Sequence, residues 1–201
     1  MKSFALLALL TSLFVYGCQQ GARTKTFTLD IAIKDTVQQH IKLHSNKYFS
    51  DFETPAEVRF FSDGVLVDSV IEADFHMISW YSSHKDTIDL VAHVGELETQ
   101  ALLIRFKYGT PHVYYFRASH DREKFFRLTK TDSFSDRLEV PSIYYKLILS
   151  AVPDSIQKPI VFGSIEMESG IYFDKRDSLK KKKVQMKFYF CSQFRNFNYP
   201  Q

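Results

Sequence analysis

The sequence predicts an all-β fold, mostly antiparallel, that forms a β-sandwich or a barrel with at most one or two short helices. Among the 201 residues are 19 Phe and 11 Tyr but only seven Gly. Short apolar segments repeatedly alternate with polar positions, which is typical of half-buried strands. The predicted strands are spaced about 8–12 residues apart along the chain, with turn-forming residues between them. This spacing indicates a sandwich or a barrel.

The first two elements differ in how clearly their patterns can be interpreted. In the predicted strand 26–33, apolar residues occupy alternate positions: Phe27, Leu29, Ile31 and Ile33. Segment 35–44 is ambiguous, because Val37 and Ile41 would share a face of a helix capped by Asp35 and Gln38, or would both point inward on a strand. Since the surrounding segments are strands, we predict a strand here.

A β-hairpin follows, with Ser62-Asp63-Gly64 between the alternating segments 57–61 and 65–71. Asp-Gly readily adopts the positive φ angles of a two-residue hairpin turn. A second turn is predicted at Gly109-Thr110-Pro111. Further strands are predicted at 75–81, 88–94, 99–108, 113–119, 125–129, 142–152, 160–169 and 184–190.

Segments 99–108 and 142–152 are apolar on both faces. In the second, Ile143, Tyr145, Leu147 and Leu149 would share one face, with Tyr144 and Ile148 on the other. A strand that is apolar on both faces is covered on both faces by other parts of the protein. We expect a loop or a tail to provide the second cover.

The N-terminus has the three parts of a secretory signal, which are Lys2, an apolar run and a small residue at the cleavage site. The run from Phe4 to Tyr16 is 13 residues long, whereas a transmembrane helix needs about 20. Val15-Tyr16-Gly17-Cys18 resembles the lipobox of bacterial lipoprotein signal peptides. The resemblance implies cleavage before Cys18 and lipidation of this cysteine.

The resemblance divides the chain into a signal peptide (1–17), a lipidated tether (18–25) and a single β-rich domain (26–201). It implies a membrane partner, reached through the lipid anchor. Gln19 replaces the aspartate that is associated with inner-membrane retention in some lipoproteins. We therefore predict an outer-membrane lipoprotein that faces the periplasm, with surface exposure as an open alternative. The sequence does not indicate the oligomeric state.

Charge and cysteine content exclude several classes. The net charge of +3 is modest and is concentrated at 174–187, so we expect no nucleic-acid partner. With Cys18 lipidated, Cys191 is left without a cysteine partner, and we predict no disulfide, no metal site and no cofactor. Two interpretations of the basic run stay open, namely a solvated turn or a contact with an anionic surface. Its residues are Lys180, Lys181, Lys182 and Lys183.

Candidates for catalysis are weak, since no nucleophile elbow, phosphate-binding loop or metalloprotease motif occurs. Glu166 and Glu168 would share a strand face, but a hydrolase would need them to converge with Asp89 and His93. We assign no catalytic residue and favour a non-catalytic binding or scaffold module for an envelope protein or glycan. The alternatives are a β-barrel carrier of an apolar ligand and a carboxylate-dependent hydrolase.

Overall fold

The structure is a computed structural model that describes residues 24–44, 53–84, 87–94, 99–119, 122–154, 160–177 and 179–194. These residues form eleven strands, one α-helix and one 3-10 helix. The strands are β1 (Lys25–Leu29), β2 (Glu53–Ser62), β3 (Val65–His84), β4 (Thr87–Val94), β5 (Thr99–Lys107), β6 (Thr110–Ala118), β7 (Phe126–Arg127), β8 (Arg137–Leu149), β9 (Ile160–Ser169), β10 (Tyr172–Asp174) and β11 (Lys181–Phe194). The helices are α1 (Ile33–His44) and the 3-10 helix Lys175–Asp177.

Most strand pairs are antiparallel, which confirms the predicted fold class. Within the described residues, eight strands pair in a closed ring in the order β8-β6-β5-β4-β3-β2-β11-β9, because β9 pairs with both β11 and β8. We call these eight strands the barrel. Strand β1 pairs in parallel with β8, while β10 and β7 extend the sheet beyond the start of β11.

Strand alternation points every second side chain into the barrel, and the buried ones among the described residues form a hydrophobic core. Its largest fully buried members include Tyr115, Phe190, Leu90, Leu102, Ile104, Leu147, Leu149 and Ile165. Packing is tight around Gly163, where an added Cβ would lie 2.5 Å from Cζ of Phe190 and 2.6 Å from Cδ2 of Leu149. Such close packing leaves no room for an apolar ligand at this point of the described core.

Segment 35–44 is helical, so the predicted strand is wrong. Helix α1 begins at Ile33, after the Asp30 side chain accepts a hydrogen bond of 2.9 Å from the backbone N–H of Ala32. Ile33 and Val37, four residues apart, are both buried against the outer face of β9 and β11, with Ile41 beside them. Tertiary packing therefore selects one of two patterns that the local sequence allows equally.

Of the two segments predicted to be covered on both faces, 142–152 is covered at Ile148 by helix α1 rather than by a loop or a tail. Beneath helix α1, Cys191 is buried in a cluster with Ile33 and Val37, bordered by Ile148 and Phe162. Burial raises the pKa of the Cys191 thiol to about 11, so the thiol stays protonated at neutral pH. Among the described residues, no helix has the length and apolarity to cross a membrane.

Two smaller predictions need correction. Strand β1 ends at Leu29, and Ile31 lies exposed in the turn before α1, so the predicted strand 26–33 is too long. A β-bulge between Ser142 and Tyr144 turns Ile143 to the solvent, away from the face of Tyr145. A bulge adds one residue to one strand and so reverses the alternation beyond it.

The Asp63-Gly64 hairpin is confirmed, with φ angles of 50° and 82° at the two turn residues. Its second strand, β3, continues to His84 and includes the separately predicted strand 75–81. The turn between β5 and β6 has the same form, with φ of 51° at Tyr108 and 76° at Gly109. It therefore lies one residue before the predicted Gly109-Thr110-Pro111.

Candidate binding cleft at one end of the barrel

A cleft of 360 Å³ opens where β2, β3, β6, β10 and β11 meet. Two cations reach it by strand alternation. On β6, Val113 and Tyr115 point into the core, and Arg117 is the next residue on the same face. On β11, Lys182 precedes Val184 and Met186, both of which are in the core. On both strands, the inward-facing residue nearest the cleft is therefore basic.

Asp174, at the end of β10, is the centre of the charged network. Its carboxylate accepts hydrogen bonds from Arg176 at Nε (3.1 Å) and Nη2 (2.8 Å). Arg117 Nη1 lies 4.0 Å from Asp174 Oδ2 and 3.3 Å from the hydroxyl of Tyr172. Lys182 forms an ion pair with Asp177. The network therefore joins three cations to two carboxylates, and the nearby charge of Asp63 also acts on Lys182.

Burial and charge act in opposite directions on these groups. Burial alone would raise the pKa of Asp174, but hydrogen bonds and charge from Arg176, together with the charge of Arg117, hold it below its ordinary value. Burial lowers the pKa of Lys182, the charges of Asp174 and Asp63 partly offset this effect, and the charge of Arg117 adds to it. Such opposing effects are typical of charges gathered in a partly desolvated site.

Aromatic rings pack against two of the cations. The Arg117 guanidinium lies 4.8 Å from the centroid of Phe126, and that of Arg176 lies 4.5 Å from the centroid of Phe125. Phe60, Phe61 and Tyr172 also line the cleft. A concave site with aromatic walls and a few fixed polar groups is the usual form of a small-ligand site.

The predicted basic run is divided by the start of β11. Lys180 and Lys181 are exposed, whereas Lys182 turns into the cleft. Lys183 also lines the cleft, and its Nζ donates a hydrogen bond of 2.8 Å to Glu168. Of the four lysines, Lys180 and Lys181 are therefore the exposed ones.

Glu166 and Glu168 do lie on one face of β9, but Glu168 is buried between Lys183 and Gln185. Glu166 lines a separate polar surface cleft of 240 Å³ with Arg59 and Lys187. Asp89 is on β4, opposite β9 in the ring, and accepts hydrogen bonds from Arg105. The structure thus does not bring these three carboxylates together.

Histidines form no metal site within the described residues. The ring of His40 packs 4.5 Å from that of Tyr189, while the side chains of His44 and His93 lie outside the described residues. Across the described part of the chain, no three His, Cys, Asp or Glu side chains gather closely enough to share a metal ion. Cys18, the predicted lipidation site, also lies outside the described residues.

Sequence reasoning missed Arg117, Tyr172, Asp174 and Arg176. A signal existed for one of them, because Arg117 continues the inward alternation of Val113 and Tyr115, where a charged side chain is unexpected. The position of β10 beside the start of β11 depends on long-range pairing, so nothing local indicated Tyr172 or Asp174.

The fold and the cleft define an all-β protein with a charged, aromatic-walled site at one end of a filled barrel. No protein-family model, no curated protein and no solved structure matches this chain. Its function is therefore inferred from its own residues.

Proposed function

We propose that this protein is a lipoprotein, anchored through Cys18 in the outer membrane and facing the periplasm, that binds an anionic envelope glycan without catalysis. The cleft at the end of the barrel is the binding site. The observation that carries the proposal is the convergence of Arg117, Arg176 and Lys182 on one aromatic-walled cleft.

The size of the cleft favours a glycan over a protein as the ligand. Its 360 Å³ falls within the range of about 300–1,000 Å³ that is typical of small-molecule sites, whereas protein interfaces cover about 800 Å² of surface per partner. Arg117, Arg176 and Lys182 could donate charge-assisted hydrogen bonds to a carboxylate or phosphate group on the sugar. Phe60, Phe61 and Tyr172 offer apolar ring surface of the kind on which sugar rings can pack.

The glycan assignment is tested with the full-length lipidated protein and three matched disaccharides, one with a carboxylate, one with a phosphate and one uncharged. We expect at least one charged sugar to bind about tenfold more tightly than the neutral one, because a charge-assisted hydrogen bond adds that much. Lys182→Gln should remove most of this preference, as measured by calorimetric titration.

Lys187→Gln is the matched control, since Lys187 is on the same strand but on the outer face of the barrel. It should bind the charged sugars like the original protein. Equal binding of all three sugars, or no binding by protein that is still folded, would contradict the glycan assignment. The same conclusion follows if both lysine variants behave alike.

The anchor has its own test, which is mass spectrometry of the mature N-terminus. We expect cleavage between Gly17 and Cys18 and a mass increase that corresponds to diacylglycerol and one further acyl chain. Several chains are needed because one alone holds a protein only weakly at a membrane. An unmodified Cys18, or cleavage at another bond, would overturn the lipoprotein assignment while leaving the cleft untouched.

A further inference from the structure

The two carboxylates that line the cleft are held to different degrees. Asp174 accepts hydrogen bonds from the backbone N–H of Arg176 (2.9 Å) and from its Nε (3.1 Å) and Nη2 (2.8 Å), and the Asp174 side chain is 8% exposed. Asp177 pairs with Lys182, and its side chain is 42% exposed. Asp174 is therefore a fixed part of the cleft. Asp177 can turn into the solvent at little cost, because ion pairs with an exposed member contribute little to stability.

Lys182 stays in the cleft when Asp177 turns away. The backbone of Lys182 lies between two neighbours, since it pairs with Ser62 on β2 and with Tyr172 on β10. The Lys182 side chain is only 16% exposed. A partly desolvated ammonium group is costly without an anionic partner. A group that replaces Asp177 must therefore bring an anionic hydrogen-bond acceptor.

The charges around Lys182 determine how much charge this group can carry. Six charged groups in and beside the cleft balance one another, three of each sign. They are Arg117, Arg176 and Lys182 against Asp63, Asp174 and Asp177. Lys183 also lines the cleft but forms its own pair with Glu168. When Asp177 turns away, one negative charge is therefore missing. A carboxylate carries this single charge, whereas a phosphate monoester carries about 1.5–2 negative charges at pH 7.

We propose that Asp177 is an internal competitor, whose carboxylate pairs with Lys182 and gives way there to a single carboxylate of the glycan. The inference rests on the proposed function and narrows it, because it selects a sugar that carries a carboxylate over a phosphorylated one. One ion pair is broken and one is formed, so the balance of charge at the cleft is kept. A sugar without a charge cannot make this exchange.

Asp177→Asn removes the competitor and is expected to strengthen binding of the carboxylate disaccharide about fivefold, the most that an exposed ion pair typically opposes. The gain should be absent in the Lys182→Gln background, since the effects of residues in contact are not additive. Binding of the uncharged disaccharide should not change. The original protein should bind the carboxylate disaccharide more tightly than the phosphate one. Calorimetric titration of the full-length lipidated protein measures these affinities.

Asp68→Asn is the matched control, since Asp68 is exposed on β3 beside Val67, which lines the cleft. It removes one negative charge from the same end of the barrel and should leave every affinity unchanged. An equal gain with Asp68→Asn would assign the effect to the general charge of this end and would overturn the exchange. An unchanged affinity in Asp177→Asn, or tighter binding of the phosphate disaccharide by the original protein, would overturn it as well.

Acetate separates this inference from the glycan assignment. The NMR signal of the Lys182 Cε, identified by its loss in Lys182→Gln, reports a carboxylate at the cleft without any sugar. We expect acetate to shift this signal at about fivefold lower concentration in Asp177→Asn than in the original protein. If no disaccharide binds, the glycan assignment fails, and the acetate titration still decides the exchange. Equal acetate concentrations for the shift in both proteins, or no shift in either, would overturn the competitor role of Asp177.

Discussion

Phe190→Ala is expected to lower the free energy of unfolding by about 3–5 kcal/mol, the range for deleting a buried phenyl ring. Phe190 is only 1% exposed and points into the barrel from β11. Its ring lies over Gly163, the residue opposite it on β9. Because a glycine has no side chain that could move into the space, the cavity cannot collapse, and the cost should fall near the top of the range.

Chemical denaturation at pH 7 measures this change as a lower midpoint with an unchanged slope. Leu43→Ala is the control, since Leu43 is exposed on α1 and alanine is a good helix former. It should change stability by less than about 0.5 kcal/mol. A cost below about 1.5 kcal/mol for Phe190→Ala would mean that the barrel interior is not packed as described.

A double-mutant cycle tests whether Gly163 and Phe190 are in contact. Gly163→Ala alone should cost about 1–3 kcal/mol, because the new Cβ would lie within 3 Å of Phe190 and Leu149. In the Phe190→Ala background that cost should be smaller, since half of the obstruction is gone. Additive effects would show that the two residues do not contact each other.

The strands could be predicted because their signal is local. Alternation alone gives β9 with the bounds found in the structure, and Asp63-Gly64 fixes a hairpin whose turn residues have the expected positive φ angles. Helix α1 could not be predicted from its own residues, since Val37 and Ile41 suit a helix or a strand. The segment forms a helix because it packs on the apolar outer face of β9 and β11, which lies far away in sequence.

The cleft was beyond local reasoning for a related reason. Apart from Arg117, its charged residues are ordinary in the sequence. Of the four lysines in the predicted basic run, Lys182 and Lys183 line the cleft. Arg117 and Lys182 are 65 residues apart and meet because both occupy inward positions at one end of the barrel. A charged residue in an inward series of a predicted strand is thus a useful pointer to the end of a barrel.

Asp174→Asn is expected to destabilise the protein by about 2–3 kcal/mol at pH 7. Asp174 is only 5% exposed, and its loss of charge would leave the guanidinium groups of Arg117 and Arg176 facing each other. Removing one member of a buried ion pair costs about 3–5 kcal/mol. The expectation here is lower because Arg176 is partly exposed, and solvent screens its charge.

The pH dependence of this difference separates charge from packing. Because the pKa of Asp174 is held below its ordinary value, its contribution is fully present above the unfolded-state pKa of about 3.9. It is lost as the pH falls through the folded-state pKa. The gap in stability between the original protein and Asp174→Asn should therefore be constant from pH 7 to about pH 5 and should narrow below about pH 4.

Urea unfolding at pH 7, 5, 4 and 3 measures the gap. Asp68→Asn is the matched control, since Asp68 is exposed on β3, and it should change stability by less than about 0.5 kcal/mol at pH 7. A gap that stays the same down to pH 3 would assign the loss to packing or hydrogen-bond geometry. It would also remove the electrostatic basis for an anion site, because Asp174 would then not be the charge that holds Arg117 and Arg176 together at the cleft.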